Sequence, residues 1–175
     1  PSSEESHRTN HDGGTLSRLI REIDLACWLF GHRPSKVYAV GRRQSHTQPD
    51  EWEYVQLHLG FPDGGMALVD YSRTLPQGAG YFSLSLIGSA GAAYADDHHN
   101  TQLVFGGAHP SALTTGQGDR ALLSQLQEFI ESVEQNREPL INGADGLTAI
   151  RVCEAAAESI ASGQAVNLAG GRNQP

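Results

Sequence analysis

The sequence predicts an α+β fold, an open and mostly antiparallel sheet with helices packed on one face. Three observations carry this. Residues 51–61 and 81–87 alternate apolar and polar side chains, the mark of half-buried strands. Turn-forming stretches, Phe61-Pro62-Asp63-Gly64-Gly65 and Leu75-Pro76-Gln77-Gly78, stand between consecutive strand-like runs and join them as hairpins. From Asp119 the apolar spacing becomes helical, so helices follow the strands.

Taken in order, residues 1–12 are polar and carry no core pattern, and read as a flexible segment or a strand remnant. The first helix follows the Gly13-Gly14 pair. Leu16, Leu19, Ile20, Ile23, Cys27 and Phe30 form one apolar stripe, Gly31 ends it, and Arg33-Pro34 forbids continuation. Lys36 to Arg42 is rich in β-formers. In the next run Glu53, Val55, Leu57 and Leu59 face one way, and Trp52, Tyr54, Gln56 and His58 the other. Met66 to Ser72 returns as the hairpin partner. Tyr81 to Ile87 alternates again, with Phe82, Leu84 and Leu86 opposite Tyr81, Ser83 and Ser85. Gly88-Ser89-Ala90-Gly91 turns the chain into Ala92 to Ala95, and Gln102 to Phe105 reads as one more short strand.

The second helix carries Leu122, Leu126, Phe129, Ile130 and Val133 on one face, with Pro139 past its end. The third runs from about Asp145 to Ser162, with Ala149, Ile150, Cys153, Ala156, Ala157 and Ile160 on one face, and Gly163 closes it. Residues 13–168 thus read as a single α+β domain and 169–175 as a loose tail. The helix-free sheet face would present Trp52, Tyr54, Gln56, His58, Tyr81, Ser83 and Ser85. That mixture suits a partner better than open water, and predicts homo-oligomerisation through the open sheet face or packing on another domain.

Composition excludes several classes. The 175 residues are 38% hydrophobic and 18% charged, a globular balance large enough for one core. The net charge of −8 disfavours a nucleic-acid partner, which needs a basic surface. No apolar run approaches a membrane span, and no basic start leads into an apolar core as in a secretory signal. Cys27 and Cys153 both fall on apolar helix faces and read as small buried hydrophobes in a reducing, cytoplasmic setting.

Asp96-Asp97-His98-His99-Asn100 offers metal-ligating side chains, but adjacent residues of an extended chain point to opposite faces, and no spaced His pattern accompanies them. The cluster reads as a polar loop, with no metal. Gly116-Gln117-Gly118-Asp119-Arg120-Ala121 superficially matches a dinucleotide fingerprint. No strong strand is expected before it, no alternation of strand and helix surrounds it, and Asp119 is the wrong charge for a pyrophosphate. No Gly-x-Ser-x-Gly elbow occurs for a serine hydrolase.

The ordered set of motifs resembles a known family. Glu22-Ile23-Asp24-Leu25 followed by Trp28-Leu29-Phe30-Gly31 is similar to the first helix of the C-terminal domain in the Gfo/Idh/MocA oxidoreductases, which include glucose-fructose oxidoreductase and inositol dehydrogenase. His7-Arg8-Thr9-Asn10 resembles the His-Arg-Asn strand of the inositol dehydrogenase branch. Ile87-Gly88-Ser89-Ala90-Gly91 resembles the family's Gly-x-x-Gly strand end. Phe129 through Pro139, with Asn142-Gly143-Ala144-Asp145-Gly146, resembles its helix-turn segment, and Arg151 to Leu168 its closing helix and strand.

The resemblance implies a glyceraldehyde-3-phosphate dehydrogenase-like C-terminal domain. It further implies a parent that is an NAD(P)-dependent oxidoreductase acting on a sugar, inositol or related polyol. The Rossmann domain and the Glu-Lys-Pro motif belong to the parent's N-terminal half, so this chain alone would hold no cofactor and be inactive. Counting back from Glu22-Ile23-Asp24, the family's catalytic Asp and His fall on Ser17 and Arg21. Arginine stays protonated and cannot serve as a general base near neutral pH, but it can bind a carboxylate or phosphate. The resemblance also places Arg21, Tyr81, Asn10 and His7 at substrate-binding positions. The alternative is a non-catalytic binding or assembly module derived from the same domain.

Overall fold

A computed structural model describes residues 14–43, 51–73, 81–96, 101–106, 109–114 and 119–168 of the chain. Among them the architecture is α+β, and every strand pairing is antiparallel. The strands form two four-stranded sheets, and the chain divides into two compact units, residues 1–74 with 141–175 and residues 75–140.

The first unit starts with a five-residue 3₁₀ turn, Thr15–Leu19, that leads into α1 (Ile20–Phe30). The apolar spacing predicts one continuous helix from Leu16; instead its first turn is wound more tightly. Gly31 ends α1 in the left-handed region (φ 65), where a side chain would be strained, and its N–H closes on the Trp28 carbonyl at 3.2 Å. Strands β1 (Lys36–Arg42), β2 (Tyr54–Gly60) and β3 (Met66–Ser72) then form consecutive antiparallel neighbours. Phe30 stacks on Phe61 with centroids 4.1 Å apart, and a Cβ on Gly65 would lie 2.4 Å from the Phe30 ring, so the β2–β3 turn needs glycine there.

Helix α3 (Gly143–Ser162) and the short β8 (Val166–Asn167) complete this unit, with strand order β3-β2-β1-β8. Asn142 and Asp145 start α3 reciprocally: Ala144 N–H donates to Asn142 Oδ1 at 2.8 Å, and Asn142 N–H donates to Asp145 Oδ2 at 2.8 Å. The core lies between sheet and helices. Val37 and Ala39, Val55, Leu57 and Leu59, and Val69 meet Leu19, Ile23 and Ala26 from one side and Ala149, Val152, Ala155 and Ala156 from the other. Each large aliphatic side chain buried there contributes about 1.5–3 kcal/mol.

Two further expectations need correction in this unit. On α3 the buried stripe is Thr148, Ala149, Val152, Cys153, Ala155, Ala156 and Ser159, while Ile150 and Ala157 are exposed. Small side chains set that face, because they let α3 approach β1 closely. Ser159 is buried with its hydroxyl satisfied twice: it accepts from Ala39 N–H at 2.9 Å and donates to the Gln164 carbonyl at 2.7 Å. Finally, Trp52 does not share the open face of Tyr54, Gln56 and His58. It precedes β2 and packs against the core, its backbone N–H donating to Thr15 Oγ1 at 2.8 Å while the same hydroxyl donates to the Trp52 carbonyl at 3.0 Å.

The second unit carries β4 (Ser83–Gly88), β5 (Gly91–Asp96), β6 (Thr101–Gly106) and β7 (His109–Thr114) in sequential order, with α2 (Asp119–Glu134). Strand β7 is absent from the sequence expectation, because Pro110 and a run of small residues mask it. Since β4 pairs only with β5 among the described residues, Ser83 and Ser85 belong to a different sheet from Tyr54, Gln56 and His58.

Candidate functional site

Two surfaces of the first unit gather polar side chains. The first is the start of the first helical segment, which carries Ser17 and Arg21, the positions that the resemblance matches to the acid–base pair. Ser17 lies in the 3₁₀ turn, half-buried, and its hydroxyl donates to the Gly14 carbonyl at 2.9 Å. Arg21 lies in the first turn of α1, its side chain 90% exposed and 4.0 Å from Glu22. A pure α-helix sets residues four apart roughly 40° from each other, but a 3₁₀ start widens the offset to roughly 80°. Ser17 and Arg21 therefore lie on successive elements without forming a stacked pair, and neither side-chain type takes a proton from a hydroxyl near neutral pH. Further along the same helix Trp28 is 66% exposed.

The two acids of the Glu22-Ile23-Asp24 motif on α1 take their character from packing. Glu22 Oε2 is buried with no hydrogen-bond partner among the described residues. Burial, and then the nearby Asp145 carboxylate, push the Asp24 carboxyl up from its ordinary value. The readable signal was the Glu-Ile-Asp spacing itself, which sets two acids astride a core isoleucine. Burial, followed by Asp24, also pushes the Cys27 thiol up to about 11. Tyr81 is 58% exposed and lies in the second unit, just before β4. His7 and Asn10 lie outside the described residues, as do residues 97–100 of the Asp-His cluster. Among the described residues no group of three or more His, Cys, Asp or Glu side chains could hold a metal.

A groove of about 650 Å³ opens elsewhere on this unit, between α3 and the chain around Trp52. Leu16, Ala157 and Ile160 line it, and Arg43 stacks over Trp52 at 3.9 Å.

The second surface is the open face of the first sheet. Pairing sets its side chains in rows across β1, β2 and β3: Lys36, Gly60 and Met66; Tyr38, His58 and Leu68; Val40, Gln56 and Asp70; Arg42, Tyr54 and Ser72. Met66 is 82% exposed. A polar chain crosses this face: Tyr54 OH donates to Asp70 Oδ1 at 2.5 Å, Gln56 Nε2 donates to the same oxygen at 2.9 Å, and Gln56 Oε1 lies 3.3 Å from His58 Nε2. The bond to Asp70 pushes the Tyr54 phenol up from its ordinary value, with burial second.

The family's sequence model, described as "Oxidoreductase family, C-terminal alpha/beta domain", matches residues 5–168. This chain belongs to the Gfo/Idh/MocA oxidoreductases, as their C-terminal domain. The domain is 27% identical over 162 residues to the uncharacterized oxidoreductase YrbE of Bacillus subtilis, covering 87% of this chain and 47% of that protein. It is 25% identical over 170 residues to myo-inositol 2-dehydrogenase of Thermotoga maritima, covering 87% of this chain and 48% of that one. The chain therefore spans about half the length of these relatives. In fold it resembles the aldose-aldose oxidoreductase of Caulobacter crescentus complexed with glycerol, with a TM-score of 0.71 at 22% identity, over 85% of this chain and 45% of that one.

A dinucleotide site does not fit the described residues. Strand β7 does precede the Gly116–Ala121 motif, contrary to the sequence expectation, but it pairs antiparallel with β6, and no parallel βαβ unit is present among them. Residues 116–118 of the motif lie outside the described residues.

Proposed function

We propose that this domain is the substrate-side and oligomerising half of a cytoplasmic NAD(P)-dependent oxidoreductase acting on a sugar, an inositol or a related polyol. The observation that carries this is the outer face of α1. It is the helix on which the family resemblance places the acid–base pair, and it holds Arg21 clear of the core. A guanidinium there binds a carboxylate or phosphate with two parallel hydrogen bonds, which points to an acidic sugar. The nicotinamide cofactor belongs to the parent's Rossmann half, and the open face of the first sheet takes a second copy. In the full-length parent, Arg21→Ala should raise KM for a sugar acid at least about tenfold and leave KM for the nicotinamide cofactor unchanged. An unchanged KM for sugar acids overturns the role of Arg21.

A second reading is a non-catalytic assembly module. The hydroxyl of Ser17, turned back to its own backbone, favours it, since no His–carboxylate pair stands on α1. A full-length parent that oxidises no polyol with either cofactor, yet still self-associates, would decide for this reading.

A further inference from the structure

We propose that Thr15 is a positioning residue: its hydroxyl clamps the chain to Trp52, forces the entry to the first helix into 3₁₀ winding, and thereby holds Ser17 out of line with Arg21. The inference rests on the reading of Arg21 as the group that binds an anionic sugar, and adds what shapes that site.

Both ends of the entry are anchored. At one end Leu19 and Ile23 are buried, which fixes α1 in the core. At the other Thr15 is buried, and its hydroxyl donates to the Trp52 carbonyl while accepting from the Trp52 N–H. Trp52 is itself held to the sheet. Its ring lies so close over Gly41 that a Cβ there would stand 2.6 Å from it, and Arg43 stacks on it. The next residue, Glu53, donates its N–H to the Arg42 carbonyl at 2.9 Å.

The span between these anchors selects the winding. Four 3₁₀ steps from Thr15 to Leu19 cover about 8 Å and turn about 480°. Four α steps would cover about 6 Å and turn about 400°. An α-wound entry would therefore leave Thr15 about 2 Å short of Trp52 and about 80° round the axis from it. That breaks hydrogen bonds of 2.8 and 3.0 Å. The apolar stripe from Leu16 onward favours a continuous α-helix, so the clamp overrides it. The Cys153 thiol, which donates to the Leu16 carbonyl at 3.1 Å, supports the same conformation from α3.

The winding decides what a ligand meets. Helix side chains lean towards the N-terminus, so an anion gripped by Arg21 comes to lie over the turn that carries residue 17. In α winding the Ser17 hydroxyl would stand beneath that anion as a second donor. In the observed winding it is turned aside and donates to the Gly14 carbonyl at 2.9 Å. Thr15 therefore keeps this hydroxyl out of the site.

Two variants release the winding by different means. Thr15→Val keeps the side chain's shape and loses both hydrogen bonds, while Thr15→Ser retains them. One alanine inserted between Thr15 and Leu16 leaves the clamp in place, because five α steps cover about 7.5 Å and turn about 500°. It carries the test if Thr15→Val does not fold. In the 175-residue chain, a nuclear Overhauser contact from the Leu16 Hα to the Ile20 N–H should appear in both variants. It should be absent from the native chain and from Thr15→Ser. In the full-length parent, KM for a sugar acid should fall at least about threefold in both variants, with KM for the cofactor unchanged. Adding Ser17→Ala should remove that gain. Native contacts in every folded variant overturn the clamp. A new contact without a fall in KM, in a parent where Arg21→Ala raises it, overturns the positioning role and leaves Arg21 standing. A KM that Arg21→Ala leaves unchanged overturns the reading of Arg21 and this inference with it.

Discussion

The two units are made from the same parts, four antiparallel strands and amphipathic helix, yet they differ in what they bury. In the first, α1 and α3 close on the sheet, and among the described residues the buried hydrophobic cluster comes from residues 19–69 and 149–156. In the second, the stripe on α2 that the sequence marks as apolar is exposed: Leu126 is 52% and Val133 66% accessible. An apolar period therefore tells which side of a helix seeks cover, and says nothing of whether its own unit supplies that cover.

The widest separation between the units should come from leucines of equal size. Leu57→Ala in the first core should cost about 2–5 kcal/mol of unfolding free energy, and Leu126→Ala on α2 less than about 0.5 kcal/mol. Urea denaturation followed by circular dichroism checks both, and equal losses would erase the contrast. A smaller effect isolates how the first unit seals its helix to its sheet. Ser159→Ala strands the Ala39 N–H in the core and should cost about 1–3 kcal/mol, whereas the exposed Ser162→Ala should be near neutral. Thermal melts and amide exchange at Ala39 would report it.

The smallest effect is a slope with pH. Burial, first among the causes, pushes the Cys27 and Cys153 thiols of the first unit up to about 11, from an ordinary 9.0. The folded state thus holds these protons more tightly than the unfolded one. The stabilisation is complete below pH 9.0 and is lost as the pH rises towards about 11. Unfolding midpoints across that range should fall in the native chain and flatten in Cys153→Ala; identical slopes would show that the thiols are not the cause.

Much of this architecture is legible in the chain. The alternation of Val55, Leu57 and Leu59 against Tyr54, Gln56 and His58 is the observed division between core and open face. Gly31 and Gly163 both take the left-handed conformation at helix ends that their positions in the sequence suggest. What was not legible depended on tertiary partners. The buried side of α3 is chosen by close approach to β1, which favours Ala155 and Ser159 over the larger Ile150. Trp52 follows the strand alternation in sequence but is held back by Thr15, which is 37 residues away. At the candidate site, Ser17 and Arg21 could be placed by motif, but the 3₁₀ winding that turns them apart leaves no trace in apolar spacing. The buried oxygen of Glu22 is likewise a product of packing.

The Ala39–Ser159 hydrogen bond joins residues 120 positions apart, across the whole inserted second unit. During synthesis at about 5–20 residues per second, Ala39 waits roughly 6–24 seconds for its partner. For the later part of that interval β1 to β3 have been made, while the part of their apolar side that α3 covers is still bare. The helix that completes the structure is thus also the one that ends the nascent chain's period of greatest exposure to aggregation.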